Sequence, residues 1–213
     1  TRRVEDWDGE RRILDGIIAF DPATGEEKRR YDMKTLVESG PFAPLARRYP
    51  DDDDLFHTNT LEHLTGAPFA AGQWLVSFRH LDTIGVVDLE QEALVWALGG
   101  MFGAQHQPTM VGQNILLFDN EGLPGRSRVL EIDPRTQQVV WRYGEEPGQT
   151  FYSRTLGSVQ RLPNGNTLIT ESNEGHAFEV TPAGQRVWSY TVPHTAGDQD
   201  QFIASLYELV RLP

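Results

Sequence analysis

Three times this chain follows a short apolar run with a turn and then a Trp: Val87-Asp88 to Trp96, Ile132-Asp133 to Trp141 and Val180-Thr181 to Trp188. Successive Trp are 45 and 47 residues apart, which is the length of one four-stranded propeller blade and neither a helical nor a Rossmann period. A propeller gathers one edge of every blade around a single axis. Residues at the start of each blade's first strand are therefore brought toward a common centre.

The blade is clearest from Gly157. Ser158 to Leu162 reads as an inner strand, and Pro163-Asn164-Gly165-Asn166 as a turn whose Asn-Gly accepts positive φ at little cost. Thr167 to Thr170, His176 to Val180 and Arg186 to Tyr190 are the next three strands. The same order runs through His106 to Met110, Asn114 to Phe118, Arg128 to Ile132 and Val139 to Tyr143, and before that through His57 to Leu64, Trp74 to Phe78, Thr83 to Val87 and Leu94 to Leu98. Further upstream only two strands are visible, Gly16 to Phe20 and Glu27 to Tyr31, around an Asp21-Pro22-Ala23-Thr24-Gly25 turn.

The expectation is an all-β protein, a β-propeller of four-stranded antiparallel blades, in one domain over 1–213. It has a partial blade over 14–31, blades over 55–98, 104–144 and 156–190, and a single closing strand over 202–212, about four blades' worth in all. The last segment ends Arg211-Leu212-Pro213, matching Arg161-Leu162-Pro163. Helical periodicity is scarce, with a short helix expected at Met33 to Val37 and a turn near Pro44 to Arg47. The Trp and Tyr of the repeat are expected to pack between blades, and the turn residues to reverse the chain.

Lys plus Arg number 19 against 31 Asp plus Glu, a net charge of −12, which argues against nucleic acid or an anionic bilayer as partner. Any anion site must be a local cluster of Arg and His. Without Cys there is no disulfide, zinc-thiolate site or Cys nucleophile. No apolar run approaches the ~20 residues of a membrane span. The chain opens Thr-Arg-Arg, without Met or signal peptide, and reads as a mature product or a fragment.

Chemistry is sought where a residue departs from what a strand needs. Two inner strands open on His, in Phe56-His57-Thr58-Asn59 and Gln105-His106-Gln107-Pro108, where the third carries Gly157-Ser158. Turns between second and third strands return to the same mouth, which brings Arg79, His80, Asn120 and Arg126 or Arg128 into consideration. Imidazoles with guanidinium groups suit a tetrahedral oxyanion, because Arg offers forked donors and His exchanges a proton near neutrality. His63, His176 and His194 are read as structural. Asp51 to Asp54 is read as a solvated acidic loop rather than a calcium loop, which would need interspersed carbonyl donors and a Gly. No metal and no cofactor are expected.

These segments, with Leu75 to His80, Val95 to Gly99, Asn114 to Asn120, Ser127 to Glu131 and Gln160 to Ile169, resemble the arylsulfotransferase β-propeller family in order from about residue 16 to about 212. The resemblance implies a six-bladed propeller, of which this chain lacks N-terminal blades, with a central funnel lined by His and Arg. It implies nucleotide-independent sulfuryl transfer from an aryl sulfate to a phenol through a sulfohistidine, and, by analogy, a periplasmic or extracellular location. Carried over by motif, His57 and His106 become sulfate-binding or acid-base residues and Arg128, less readily Arg126, stabilises the transferring group. Arg79, His80 and Asn120 are substrate-binding candidates.

The family's sulfated His belongs to a later blade, where this chain has Gly157-Ser158, and His194, in a Pro193-His194-Thr195-Ala196-Gly197 loop, is the only late candidate for that role. That departure supports an alternative, a non-catalytic propeller that binds an anionic or sulfated ligand or a protein partner. A quinone-dependent dehydrogenase is also prompted by the Asp-Pro-x-Thr-Gly turn and the Trp spacing, but such enzymes often use a vicinal Cys pair, and there is no Cys here.

Overall fold

One side chain sets the corner before each Trp. Asp88 Oδ1 accepts from the Glu90 and Gln91 amides, both at 3.0 Å, Asp133 Oδ1 from Arg135 at 2.9 Å, and Thr181 Oγ1 from Gln185 at 3.1 Å. Asp21 Oδ1 repeats the device upstream, taking the Ala23 amide at 2.8 Å. Glu92, Gln137, Gly184 and Gly25 then close the four corners at positive φ. The Gln91 amide leads in holding the Asp88 carboxyl below the ordinary range, while Lys28 and Arg135 lead for Asp21 and Asp133, with turn amides behind them. The acidic residue of the repeat is thus a turn former.

Directly beyond each corner the ladder slips by one residue. Trp96 pairs with Val86 and Leu94 with Val87, Trp141 with Glu131 and Val139 with Ile132, Trp188 with Glu179 and Arg186 with Val180. Val95, Val140 and Val187 are the bulged residues, and a bulge adds the local twist that a blade needs at its outer hairpin. Arg29 pairing with Ala19 and Glu27 with Phe20 gives the Asp21 hairpin the same slip, which marks it as the last hairpin of a blade.

The computed structural model describes residues 1–7, 9–48 and 53–212 and comprises two units, Thr1–Gly100 and Met101–Pro213. The first holds β1 (Arg2–Trp7), β2 (Glu10–Phe20) and β3 (Glu27–Asp32), a three-stranded antiparallel sheet in that order. The sequence showed β2 and β3 alone. Strand β1, with charged residues at four of six positions, has no apolar alternation to announce it and is held by its ladder to β2, from Arg2 opposite Asp15 to Trp7 opposite Glu10. Helix α1 (Met33–Ser39) starts on Asp32, whose side chain accepts from the Lys34 amide, and buries Met33, Leu36 and Val37. A 3₁₀ turn follows over Ala43–Arg48.

Strands β4 (Thr58–His63), β5 (Trp74–Phe78), β6 (Thr83–Asp88) and β7 (Ala93–Gly99) then form an antiparallel sheet in chain order. Leu14 and Ile17 of β2, the apolar face of α1, Leu55, Phe56, Phe78, Leu81 and Leu94 make one core for this unit. The core explains why the middle strands read as continuous apolar runs: both faces are covered.

The second unit repeats the sheet twice. Strands β8 (His106–Val111), β9 (Asn114–Leu123), β10 (Arg126–Asp133) and β11 (Gln138–Tyr143) make one, and β12 (Ser158–Arg161), β13 (Thr167–Glu171), β14 (His176–Val180) and β15 (Arg186–Thr191) the next. The two pack through Phe118, Tyr143, Phe151 and Phe178, whose ring centroids stand 5.5–5.9 Å apart. Each such buried ring contributes on the order of 1.5–3 kcal/mol.

The repeat Trp do less than expected. Trp141 does bridge the sheets, donating Nε1–H to Pro182 O at 2.9 Å. Trp96 packs edge-on against Phe69 of its own sheet's first loop, at 5.2 Å, and Trp188 lies 38% exposed, stacked on Tyr190.

The expected closing strand over 202–212 is shorter. Only Phe202–Ile203 is strand, β17, paired with β16 (Thr195–Ala196). The rest of that segment forms no ladder: backbone bonds from Ala204 N to His194 O and Leu206 N to Ser172 O, both at 3.0 Å, are followed by side-chain bonds, Leu209 N on Thr170 Oγ1 at 3.2 Å and Arg211 N on Gln160 Oε1 at 2.9 Å. The Arg-Leu match has a structural meaning. Arg161 bonds Glu131 at 2.6 Å and covers the Trp141 ring at 4.7 Å, and Arg211 does the same to Glu179 and Trp188, at 2.6 and 5.7 Å.

Candidate functional site

Inner strand β4 opens on a strained corner. Just before it His57 has φ +49, sparsely populated for a residue with a Cβ, and such strain persists only where neighbours impose it. Asp54 imposes it. One carboxylate oxygen accepts the His57 amide at 3.1 Å and the other accepts His57 Nδ1–H at 2.7 Å. Asp54 is itself tied down by Arg2 Nη1 at 3.1 Å, and Arg2 Nε reaches Asp15 at 3.2 Å, while Asp15 accepts the Thr58 amide at 2.5 Å.

His80 follows β5 in a 3₁₀ turn over Arg79–Leu81 and donates Nδ1–H to the Asp54 carbonyl at 2.6 Å. Its ring lies 4.8 Å from that of His57, tilted by 41°. Burial leads in pulling His57 below its ordinary pKa, joined by the positive charge of Arg2 and by His80 and opposed by Asp54. The ring is neutral at pH 7, with its proton on Nδ1 and its lone pair on Nε2. Arg79, half-buried beside His80, has no hydrogen bond or ion pair to its guanidinium among the described residues.

Next to this cluster Arg2, Asp15, Met33, Thr58, Asn59 and Leu61 help line a cavity of ≈ 330 Å³. Thr58 Oγ1 is buried there without a hydrogen-bond partner among the described residues.

In the second unit His106 heads β8, 9% exposed, and shares Nδ1–H between Asn120 Oδ1 at 2.9 Å and Ala104 O at 3.1 Å. Asn120 is oriented in turn by its donation to Ser153 O and Leu156 O at 2.7 and 2.8 Å. Arg128, expected to meet the transferring group, is committed elsewhere: Nε bonds Asp119, Nη1 bonds Glu145 and Nη2 bonds Met101 O, each at 2.6 Å. Burial pushes the Asp119 carboxyl up, against the pull of the Gly103 amide, Arg128 and the Gly122 amide. Burial also works against the charge on Arg128, but its bonds to Asp119 and Glu145 together raise its pKa. These partners neutralise the guanidinium and make it a clamp. Arg126, on the edge of the same hairpin, is half-buried and carries no such partners among the described residues.

The structure therefore gathers His57, His80 and Arg79 in one unit and His106 and Asn120 in the other. Register also refines the repeat. His106 and Ser158 each occupy the first ladder pair, with Phe118 and Thr170, whereas His57 lies one residue outside the first pair, Thr58 with Phe78. His63 packs against Trp74 with the rings tilted by 57° and centroids 4.8 Å apart, His176 bonds Glu171 at 2.9 Å, and His194 sits exposed in a loop.

Sequence reasoning missed Asp54, Arg2 and Asp15. Asp54 was hidden in the acidic run, yet it is 8% exposed and ion-paired, and its signal was a carboxylate three residues ahead of a strand-opening His. Asp51 and Asp52 of that run lie outside the described residues.

Residues 10–193 match the family model of the arylsulfotransferases. The chain belongs to the arylsulfotransferase family. Among solved structures it is similar to a protein of unknown function from Bacteroides caccae, 16% identical with a TM-score of 0.53 over 85% of this chain and 56% of that one. It is also similar to the Dos1 propeller, 12% identical with a TM-score of 0.54 over 91% and 47%. These likenesses are of fold, and with the repeated sheets they make this arylsulfotransferase relative a β-propeller. The chain spans about half the length of the structures it matches. No curated protein matches it in sequence. Among the described residues no helix is long and apolar enough to cross a membrane.

Proposed function

We propose that this protein transfers a sulfuryl group from an aryl sulfate to a phenol without a nucleotide donor, with the Asp54–His57 pair as its acid-base unit. The 2.7 Å bond from His57 Nδ1 to the Asp54 carboxylate carries the reading. It presents a neutral Nε2 as base and leaves a carboxylate beside the imidazolium that forms, the arrangement a general base needs.

His57 Nε2 takes the acceptor phenol's proton as the phenol oxygen forms its bond to sulfur. The bond from sulfur to the departing group breaks in the same step. Arg79, whose guanidinium no described residue neutralises, faces the sulfuryl oxygens in place of Arg128. Within the second unit, His106, held by Asn120, and Arg126 are taken by themselves as candidates for binding an anion. The cavity beside Asp15, with Met33 and Leu61 on its walls and Thr58 Oγ1 unpartnered, suits a phenol ring.

Incubation of the whole protein with a chromogenic aryl sulfate tests this, with phenolate release expected to rise when a phenol is added. Asp54→Asn and His57→Gln should each lower turnover by about 10²–10⁴; undiminished turnover in both would place the chemistry elsewhere. The saturated guanidinium of Arg128 favours the second reading, a non-catalytic propeller that binds sulfated ligands. Calorimetric binding of an aryl sulfate with no phenolate release would select it.

A further inference from the structure

The two imidazoles beside Asp54 form a pair that acid-base chemistry does not require. His80 Nδ1 faces a backbone carbonyl, which only accepts, so that nitrogen carries the proton, as does His57 Nδ1 against the carboxylate. Both lone pairs are then on Nε2, and neither Nε2 has a partner among the described residues. The rings stand 4.8 Å apart at their centroids, and one potential ligand atom from each of Asp54, His57 and His80, a carboxylate oxygen or either ring nitrogen, lies within 4.8 Å of the other two.

We propose that His57 and His80 bind a borderline divalent transition ion of the zinc class through their Nε2 atoms. Asp54 acts as the outer-shell group that orients both rings, and water fills the remaining positions. Imidazole nitrogens bind such an ion at about 2.0–2.1 Å, and a carboxylate or carbonyl on the opposite ring nitrogen is the usual outer-shell partner. Here one residue supplies both, a carboxylate to His57 and a carbonyl to His80. The Arg2 ion pair keeps the Asp54 carboxylate in that outer role. A donor set of two nitrogens disfavours calcium and magnesium, which take oxygen.

The ion would occupy the nitrogen assigned above as base, so binding it and activating a phenol are alternatives at one atom. The inference does not rest on the sulfuryl-transfer reading, because it is read without any sulfate ester present.

The test is titration of the protein with Co²⁺, followed by its visible absorption bands and by displacement with Zn²⁺, beside histidine ring ¹⁵N spectra of the unmutated protein during Zn²⁺ addition. Expected are one equivalent of bound ion, shifts confined to two Nε2 resonances, and at least a tenfold loss of affinity in His57→Ala and in His80→Ala. His63→Ala should bind as the unmutated protein does, and Asp54→Asn should weaken binding by about 10–100-fold. Absence of Co²⁺ bands and of ring shifts in the unmutated protein overturns the proposal even if a variant fails to fold. Unchanged affinity in folded His57→Ala and His80→Ala overturns it equally.

Discussion

Replacing Arg128 by Ala separates a structural clamp from a substrate-binding cation. In the folded chain the Arg128 side chain is 15% exposed and bonded to Asp119, which is 0% exposed, and to Glu145 at 22%. Removing it leaves Asp119 buried with the Gly103 and Gly122 amides as its remaining donors of those described. An uncompensated buried charge of this kind costs about 3–5 kcal/mol. For a chain of this size that corresponds to a fall in Tm of roughly 6–20 °C.

The loss should also depend on pH. Burial already raises Asp119 above its ordinary value of 3.8, so the folded state keeps a proton that the unfolded chain has released, and this group's contribution to stability falls as pH rises through that window. Deleting Arg128 removes a lowering influence and extends the window upward. The gap between variant and parent should therefore widen as pH rises above the ordinary carboxylate value of 3.8. Urea denaturation of both proteins across that range measures it. A variant within about 2 °C of the parent, with a gap independent of pH, would falsify the clamp; intact stability with lost aryl sulfate turnover would restore Arg128 to the substrate.

The two Arg latches should differ although they use the same parts. Arg161→Ala removes a bond between groups 16% and 15% exposed and should cost about 1.5–3 kcal/mol, whereas Arg211→Ala, at 44% exposure, should cost about 1 kcal/mol or less, both read from urea midpoints. Equal losses would mean that burial does not set their strength. Gly157→Ala should destabilise by at least about 1–3 kcal/mol, since φ is +102° and a Cβ would meet the Phe118 ring at 2.7 Å. A neutral result in thermal melts would show that the corner before β12 can relax.

The blades were readable because their signals are local. Alternation, an Asp or Thr at each corner and Asn-Gly in one turn act within a few residues, so Trp74–Phe78 and His176–Val180 are strands over the lengths the pattern predicts. Strand β1 was not readable, since its pairing partner rather than its own pattern makes it a strand. The span 202–212 reads as one strand, yet beyond Ile203 isolated backbone bonds to His194 and Ser172 and side-chain bonds to Thr170 and Gln160 hold it where a ladder was expected.

For the site, sequence alone determined which residues were out of place for a strand, and it therefore named His57, His80, His106, Arg79, Arg126, Arg128 and Asn120. Only the tertiary structure decided what each can do, because a side chain's chemistry depends on what its polar atoms already touch. Arg128 and Arg79 look alike in a list of cations, but Asp119, Glu145 and the Met101 carbonyl neutralise one and not the other. Asp54 looks like part of a solvated run until its carboxylate is found holding His57 by both backbone and ring. The Trp repeat set the architecture, and the partners of each imidazole nitrogen set the chemistry.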